Sequence, residues 1–94
     1  MDILYKPPFK KFVKKQPRPF QLIVEDEVEK VVSNPCLGEA KKGDLSGLRV
    51  HKFKFQKQEY LVAYSAESRS IIFYMIETHE NFYRNLKQYL REVE

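Results

Sequence analysis

Arg49, Lys52 and Lys54 fall close together on a run, Leu48 to Phe55, whose other members are mostly apolar or aromatic. Cations held on a strand bind phosphates. They can also neutralise the extra negative charge of a pentacoordinate phosphorus in a transition state. The run does not alternate cleanly, because Leu48 and Val50 share one phase while Phe53 and Phe55 share the other. A bulge near His51 and Lys52 reconciles the two, turning the four apolar residues inward and Arg49, His51 or Lys52, and Lys54 outward. No acid interrupts the row. Just upstream, Lys41 and Lys42 stand on a glycine-containing loop, where they suit phosphate contact or plain solvation. On this reading, replacing Arg49, Lys52 and Lys54 together by alanine removes outward charge and leaves the fold intact.

The wider charge pattern agrees. The net charge is +4, with a first group of cations at Lys6, Lys10, Lys11, Lys14, Lys15 and Arg18 and a second between Lys41 and Lys57. The acids gather instead at Glu25, Asp26, Glu27 and Glu29. Such segregation steers a polyanion to one face and an acidic protein to another. A chain of 94 residues, 43% hydrophobic and 14% aromatic, supports one core, so residues 1–94 read as a single domain. The lone cysteine, Cys36, excludes an internal disulfide, has no metal-ligand spacing around it, and reads as a small buried or half-buried apolar residue. No metal or small-molecule cofactor is called for. No apolar run reaches the length of a membrane span, and Met1 to Lys15 lacks the apolar core of a secretory signal, so the expected location is cytoplasmic.

These residues need a scaffold, and its elements are legible. Ile3–Tyr5 reads as a strand stopped by Pro7 and Pro8. Phe9, Phe12 and Val13 recur at helical spacing, and Gln16-Pro17-Arg18-Pro19 breaks that helix. Pro19 opens a second one, with Phe20, Val24, Val28, Val31 and Val32 as its apolar stripe and the acids opposite; Ser33-Asn34-Pro35 ends it. After the Cys36–Gly47 loop come three strands, Leu48–Phe55, Tyr60–Tyr64 and Ser70–Ile76, joined by hairpins. The last has no polar side and must be central. A final helix follows Thr78, with Phe82, Leu86, Leu90 and Val93 on its apolar face and Arg84, Lys87 and Arg91 on another. The fold class is α+β, in the order β-α-α-β-β-β-α: an antiparallel sheet of three or four strands against a helical hairpin, with a C-terminal helix.

Glu39-Ala40-Lys41-Lys42-Gly43-Asp44-Leu45-Ser46-Gly47-Leu48, the basic strand, then Tyr60-Leu61-Val62-Ala63-Tyr64 and the closing His79-Glu80-Asn81-Phe82-Tyr83-Arg84 resemble the RelE/ParE toxin superfamily over nearly the whole chain. The RelE/YoeB-like branch is the better match. The resemblance implies the toxin of a type II toxin-antitoxin system. Such a toxin is a metal-independent endoribonuclease that cuts mRNA on the ribosome and is held inactive by a cognate antitoxin. It assigns Glu39 as base for the ribose 2′-hydroxyl and His79 as acid for the leaving 5′ oxygen. Arg49, Lys52 and Lys54 become the cations on the phosphorane, and Tyr83 stacks on a base or orients the phosphate. Lys41, Lys42, His51 and Arg84 become RNA contacts. One departure is plain: the family's arginine after the first tyrosine is Leu61 here. That opens a ParE-like alternative, a toxin that acts on DNA gyrase without cutting RNA. A plain RNA-binding domain is the third reading.

Overall fold

The structure, a computed structural model, describes residues 1–93. Strand β1 (Asp2–Tyr5) leads into helices α1 (Pro7–Lys14) and α2 (Arg18–Ser33). A two-residue strand β2 (Glu39–Ala40) follows, then the meander β3 (Arg49–Phe55), β4 (Gln58–Ala66) and β5 (Ser70–Thr78), and finally helix α3 (His79–Val93). The α+β order read from the sequence therefore holds. The sheet has five strands in the order β1-β5-β4-β3-β2. All its pairings are antiparallel except β1 with β5, and β2 adds a short rung to β3 from within the expected loop.

Both helices of the hairpin carry proline in the first turn, where it is harmless because those amides have no intrahelical acceptor. Phe9 of α1 packs on Phe73 of β5 and Phe20 of α2 on Phe53 of β3, with ring centroids 5.5 and 6.3 Å apart. Phe20, Val24 and Val31 are buried and Val28 and Val32 pack against them, so the stripe on α2 is the core face as expected. Helix α3 covers the other side of the sheet. There Phe82 and Leu86 meet Leu45, Leu48, Val50, Leu61, Ala63 and Met75.

Two covered faces explain the mixed phase of β3. The strand pairs with β4 without interruption from Arg49 opposite Tyr64 to Phe55 opposite Gln58, so the bulge expected at His51–Lys52 is absent. Val50 belongs to the α3 core and Phe53 to the hairpin core; both phases carry apolar residues because each has a layer to bury them. Arg49 and His51 consequently face the hairpin, while Lys52 and Lys54 project on the α3 side. The cations do not form one row. The irregularity lies in β5 instead, where Met75 and Phe73 oppose Ala63 and Tyr64 and leave Tyr74 as the extra residue. That bulge lets Tyr74 and Met75 both join the α3 side. The β3–β4 hairpin turns on Gln56 and Lys57, both in the left-handed region at φ 50° and 69°. Glycine and asparagine occupy this turn most readily; other residues cost about 1–2 kcal/mol each.

One tyrosine fastens the loop before β2. Tyr64 is fully buried, and its hydroxyl accepts the Gly38 N–H at 2.8 Å and donates to the Pro35 carbonyl at 2.7 Å. Burial pushes the Tyr64 phenol up, which favours its protonated, hydrogen-bond-donating form. A Cβ at Gly38 would stand 2.8 Å from that same hydroxyl, so only glycine admits the contact. Because the segment is held by its backbone, its side chains turn out. Cys36 is exposed, contrary to the sequence reading. Tyr64→Phe keeps the packing and orphans two buried backbone groups. We expect a loss of about 2 kcal/mol, read by thermal or urea unfolding. A variant as stable as wild type would remove the tyrosine from this role.

Candidate phosphate-binding site beside the C-terminal helix

Strand β2 carries Glu39 opposite Val50 and so directs it to the α3 side of the sheet. Lys41 continues the pairing through its amide, which donates to the Leu48 carbonyl at 3.0 Å. Its ammonium lies 2.6 Å from Glu39 Oε1 and 5.4 Å from the centre of the Tyr83 ring on α3. The Lys41 contact holds the Glu39 carboxyl below the usual range, with a further contribution from Lys52. Glu39 and Tyr83 in turn hold the Lys41 ammonium above its usual range. Glu39, Lys41, Lys52 and Tyr83 therefore meet at the open edge between β3 and α3. Glu39 is well exposed, its side chain 76% accessible. Lys54, also exposed, extends the same side toward the start of α3.

His79 stands there, 57% exposed, with Nδ1 3.9 Å from Glu59 Oε1. Glu59 is opposite Lys54 in register and is the acid that sequence reading passed over. The signal was available in the hairpin register, since Phe55-Gln56-Lys57-Gln58 sets Lys54 against Glu59. Thr78, the last residue of β5, accepts a hydrogen bond from the Asn81 side chain at 3.3 Å. Arg84 is exposed on α3 and bonds back to Asn81 at 2.9 Å. Lys42 is exposed at the head of the short 3-10 turn Gly43–Leu45.

Two of the expected site residues are committed elsewhere. Arg49 donates to the carbonyls of Gly38 at 2.7 Å and Cys36 at 3.4 Å, on the hairpin side. Removing it would loosen the Pro35–Gly38 segment, so the triple alanine substitution is not a pure test of charge. His51 bonds Glu27 of α2 at 2.7 Å, both side chains close to nine-tenths covered, and Lys30 meets the same carboxylate at 2.8 Å. Sequence reading put Glu27 with the solvated acids; it is instead the tie between α2 and β3. Leu61 lies opposite Lys52, is 1% exposed and belongs to the bed of α3. Arg69 lies just before β5, at the far end of that strand from His79, and so does not replace the missing arginine at this edge.

The sequence model of a family described as the ParE-like toxin of type II bacterial toxin-antitoxin systems matches residues 3–87. The chain belongs to this family. No curated protein matches it. Family membership makes this a type II toxin with a cognate antitoxin as partner. Among the described residues no helix of the toxin is long and apolar enough to cross a membrane.

The Glu27 tie gives the toxin a pH dependence. Burial pushes the Glu27 carboxyl up, but hydrogen bonds from Lys30 and His51, with their charges, more than reverse this and hold it below its ordinary 4.5. A carboxyl lowered by folding adds stability that is complete above about pH 4.5 and drains away as pH falls further. Glu27→Gln should therefore flatten the acid limb of stability against pH while leaving the antitoxin complex intact. Unfolding midpoints between pH 3 and 7 check this, and parallel curves for the two proteins would refute it.

Proposed function

We propose that the toxin is a metal-independent endoribonuclease acting on ribosome-bound mRNA through the edge between β3 and α3. The observation that carries this is the meeting of Glu39, Lys41, Lys52 and Tyr83 on one open side, with exposed Lys54 between them and His79. Two cations beside a carboxylate match what 2′-hydroxyl attack on a neighbouring phosphate requires. Glu39, ionised at neutral pH, takes the 2′ proton while the 2′ oxygen bonds to phosphorus. Lys41 and Lys52 hold the phosphorane's added charge. The bond to the 5′ oxygen then breaks, and His79 supplies its proton, leaving a 2′,3′-cyclic phosphate and a free 5′-hydroxyl. In the resting state the bond from Lys41 weakens Glu39 as a base. A bound phosphate competes for that ammonium and restores the carboxylate's basicity. Tyr83 offers a ring for stacking. Arg49 and His51, engaged on the other side, have no part in this scheme.

A second reading has its own support. Leu61 fills the position of the family's arginine with a buried apolar side chain, and the matching family is described as ParE-like. Both favour a toxin that binds DNA gyrase and cuts nothing.

Lys41→Ala/Lys52→Ala removes two side chains from the open edge, so the protein should fold and bind antitoxin yet lose toxicity. Glu39→Gln should lower ribosome-dependent cleavage about 100-fold or more, the usual worth of a positioned base. Inducible expression with transcript-end mapping, alongside a DNA-damage reporter, separates the readings. Cuts within translated codons support the nuclease. Growth arrest with intact transcripts and an induced reporter would transfer the case to gyrase.

A further inference from the structure

Where α1 turns into α2 and β3 into β4 there is a cleft of about 410 Å³ that plays no part in the scheme above. Its floor is aromatic. Phe20 lies 4.8 Å from Tyr60 and 5.2 Å from Phe55, centroid to centroid. Its walls are the amides Gln16, Gln56 and Gln58, with Thr78 closing one side. Gln58 Nε2 bonds the carbonyl of its neighbour Glu59. The Gln16 and Gln56 amides and the Tyr60 hydroxyl have no hydrogen-bond partner among the described residues. No acid lines the cleft, and exposed Lys15, Arg18 and Lys57 each adjoin a lining residue in sequence.

The backbone adds an independent observation. Gln56 and Lys57 keep left-handed conformations that glycine and asparagine adopt more easily. The turn thus holds a long amide at the lip of the cleft against a conformational cost, as functional sites often do. Position completes the case. Thr78 lines the cleft and His79 follows it directly, so the cleft opens at the end of β5 from which the candidate acid projects.

An aromatic floor with unpaired amides above it is the chemistry that receives a nucleobase: the ring stacks and the amides read its edge. Glutamine matches adenine best: its carbonyl oxygen accepts a hydrogen bond from the exocyclic amino group while its NH2 donates to the neighbouring ring nitrogen, a single bidentate contact. We propose that this cleft binds one unstacked adenine of the RNA and sets the toxin's base preference. The proposal rests on the RNA-directed reading of the β3–α3 edge.

Fluorescence anisotropy of the purified full-length toxin with labelled oligo-A, oligo-C, oligo-G and oligo-U hexamers tests it. Wild type should bind oligo-A about tenfold more tightly than oligo-U. Gln16→Ala/Gln56→Ala should bring the four within about twofold at an unchanged thermal midpoint. Lys41→Ala/Lys52→Ala should weaken all four alike and keep the preference. Equal binding by wild type, or a preference that survives the glutamine substitutions, overturns the proposal. So does a glutamine variant that loses antitoxin binding while keeping its base preference, since the cleft would then dock protein. Hexamer preference without transcript cleavage in cells would sink the nuclease and leave the cleft standing. Cleavage whose base bias is unchanged in the glutamine variant would do the reverse. No binding to any hexamer overturns both.

Discussion

The buried hydroxyl of Tyr64 is the contact on which the site's geometry depends. A phenol in an apolar core must be hydrogen-bonded, and here both of its bonds go to one short loop. Arg49 reaches the same segment from the adjacent strand. Together they fix where the chain leaves α2 and enters β2, and so where Glu39 and Lys41 emerge. The catalytic candidates stand on a two-residue strand that has little pairing of its own. Their placement comes from the far face of the sheet, through a glycine that leaves room for the tyrosine.

The second constraint is that the sheet is covered on both sides. With α3 in place, the residue opposite Lys52 must be apolar, and Leu61 is. An arginine there would need its charge carried out from beneath Phe82 and Leu86, against a large desolvation penalty. The same helix brings Tyr83 to Lys41.

How far the sequence disclosed this follows from its periodicities. The helices were readable because Phe20, Val24, Val28 and Val31 keep one spacing and the prolines mark both starts. Strand β5 was readable as an interior strand from its unbroken apolar run, although the middle of the sheet is β4. Strand β3 was misread because alternation says that two phases exist, not that both are buried; a bulge and a second covered face leave the same pattern. Cations were legible as a group but not as two groups, since the error in phase put Arg49 and His51 beside Lys52. Glu27 could not be singled out from its acidic neighbours, because pairing with His51 is a matter of helix placement over the strand. Glu39 and His79 were reached through resemblance alone. The aromatic and glutamine cleft drew no notice, as its lining comes from three stretches far apart in the chain, 16–20, 55–60 and Thr78.

The parallel pairing of β1 with β5 sets the timing of folding. Asp2 to Tyr5 pair with Ser70 to Phe73, so the first strand made waits for the last. Helix α1 waits as well, since its bed is Phe73 of β5. Contacts this distant in sequence close late and slowly. During its own synthesis the chain therefore emerges as a helical hairpin and an incomplete meander. Phe9 stays uncovered until β5 is in place, and the strand made first is the last to lock.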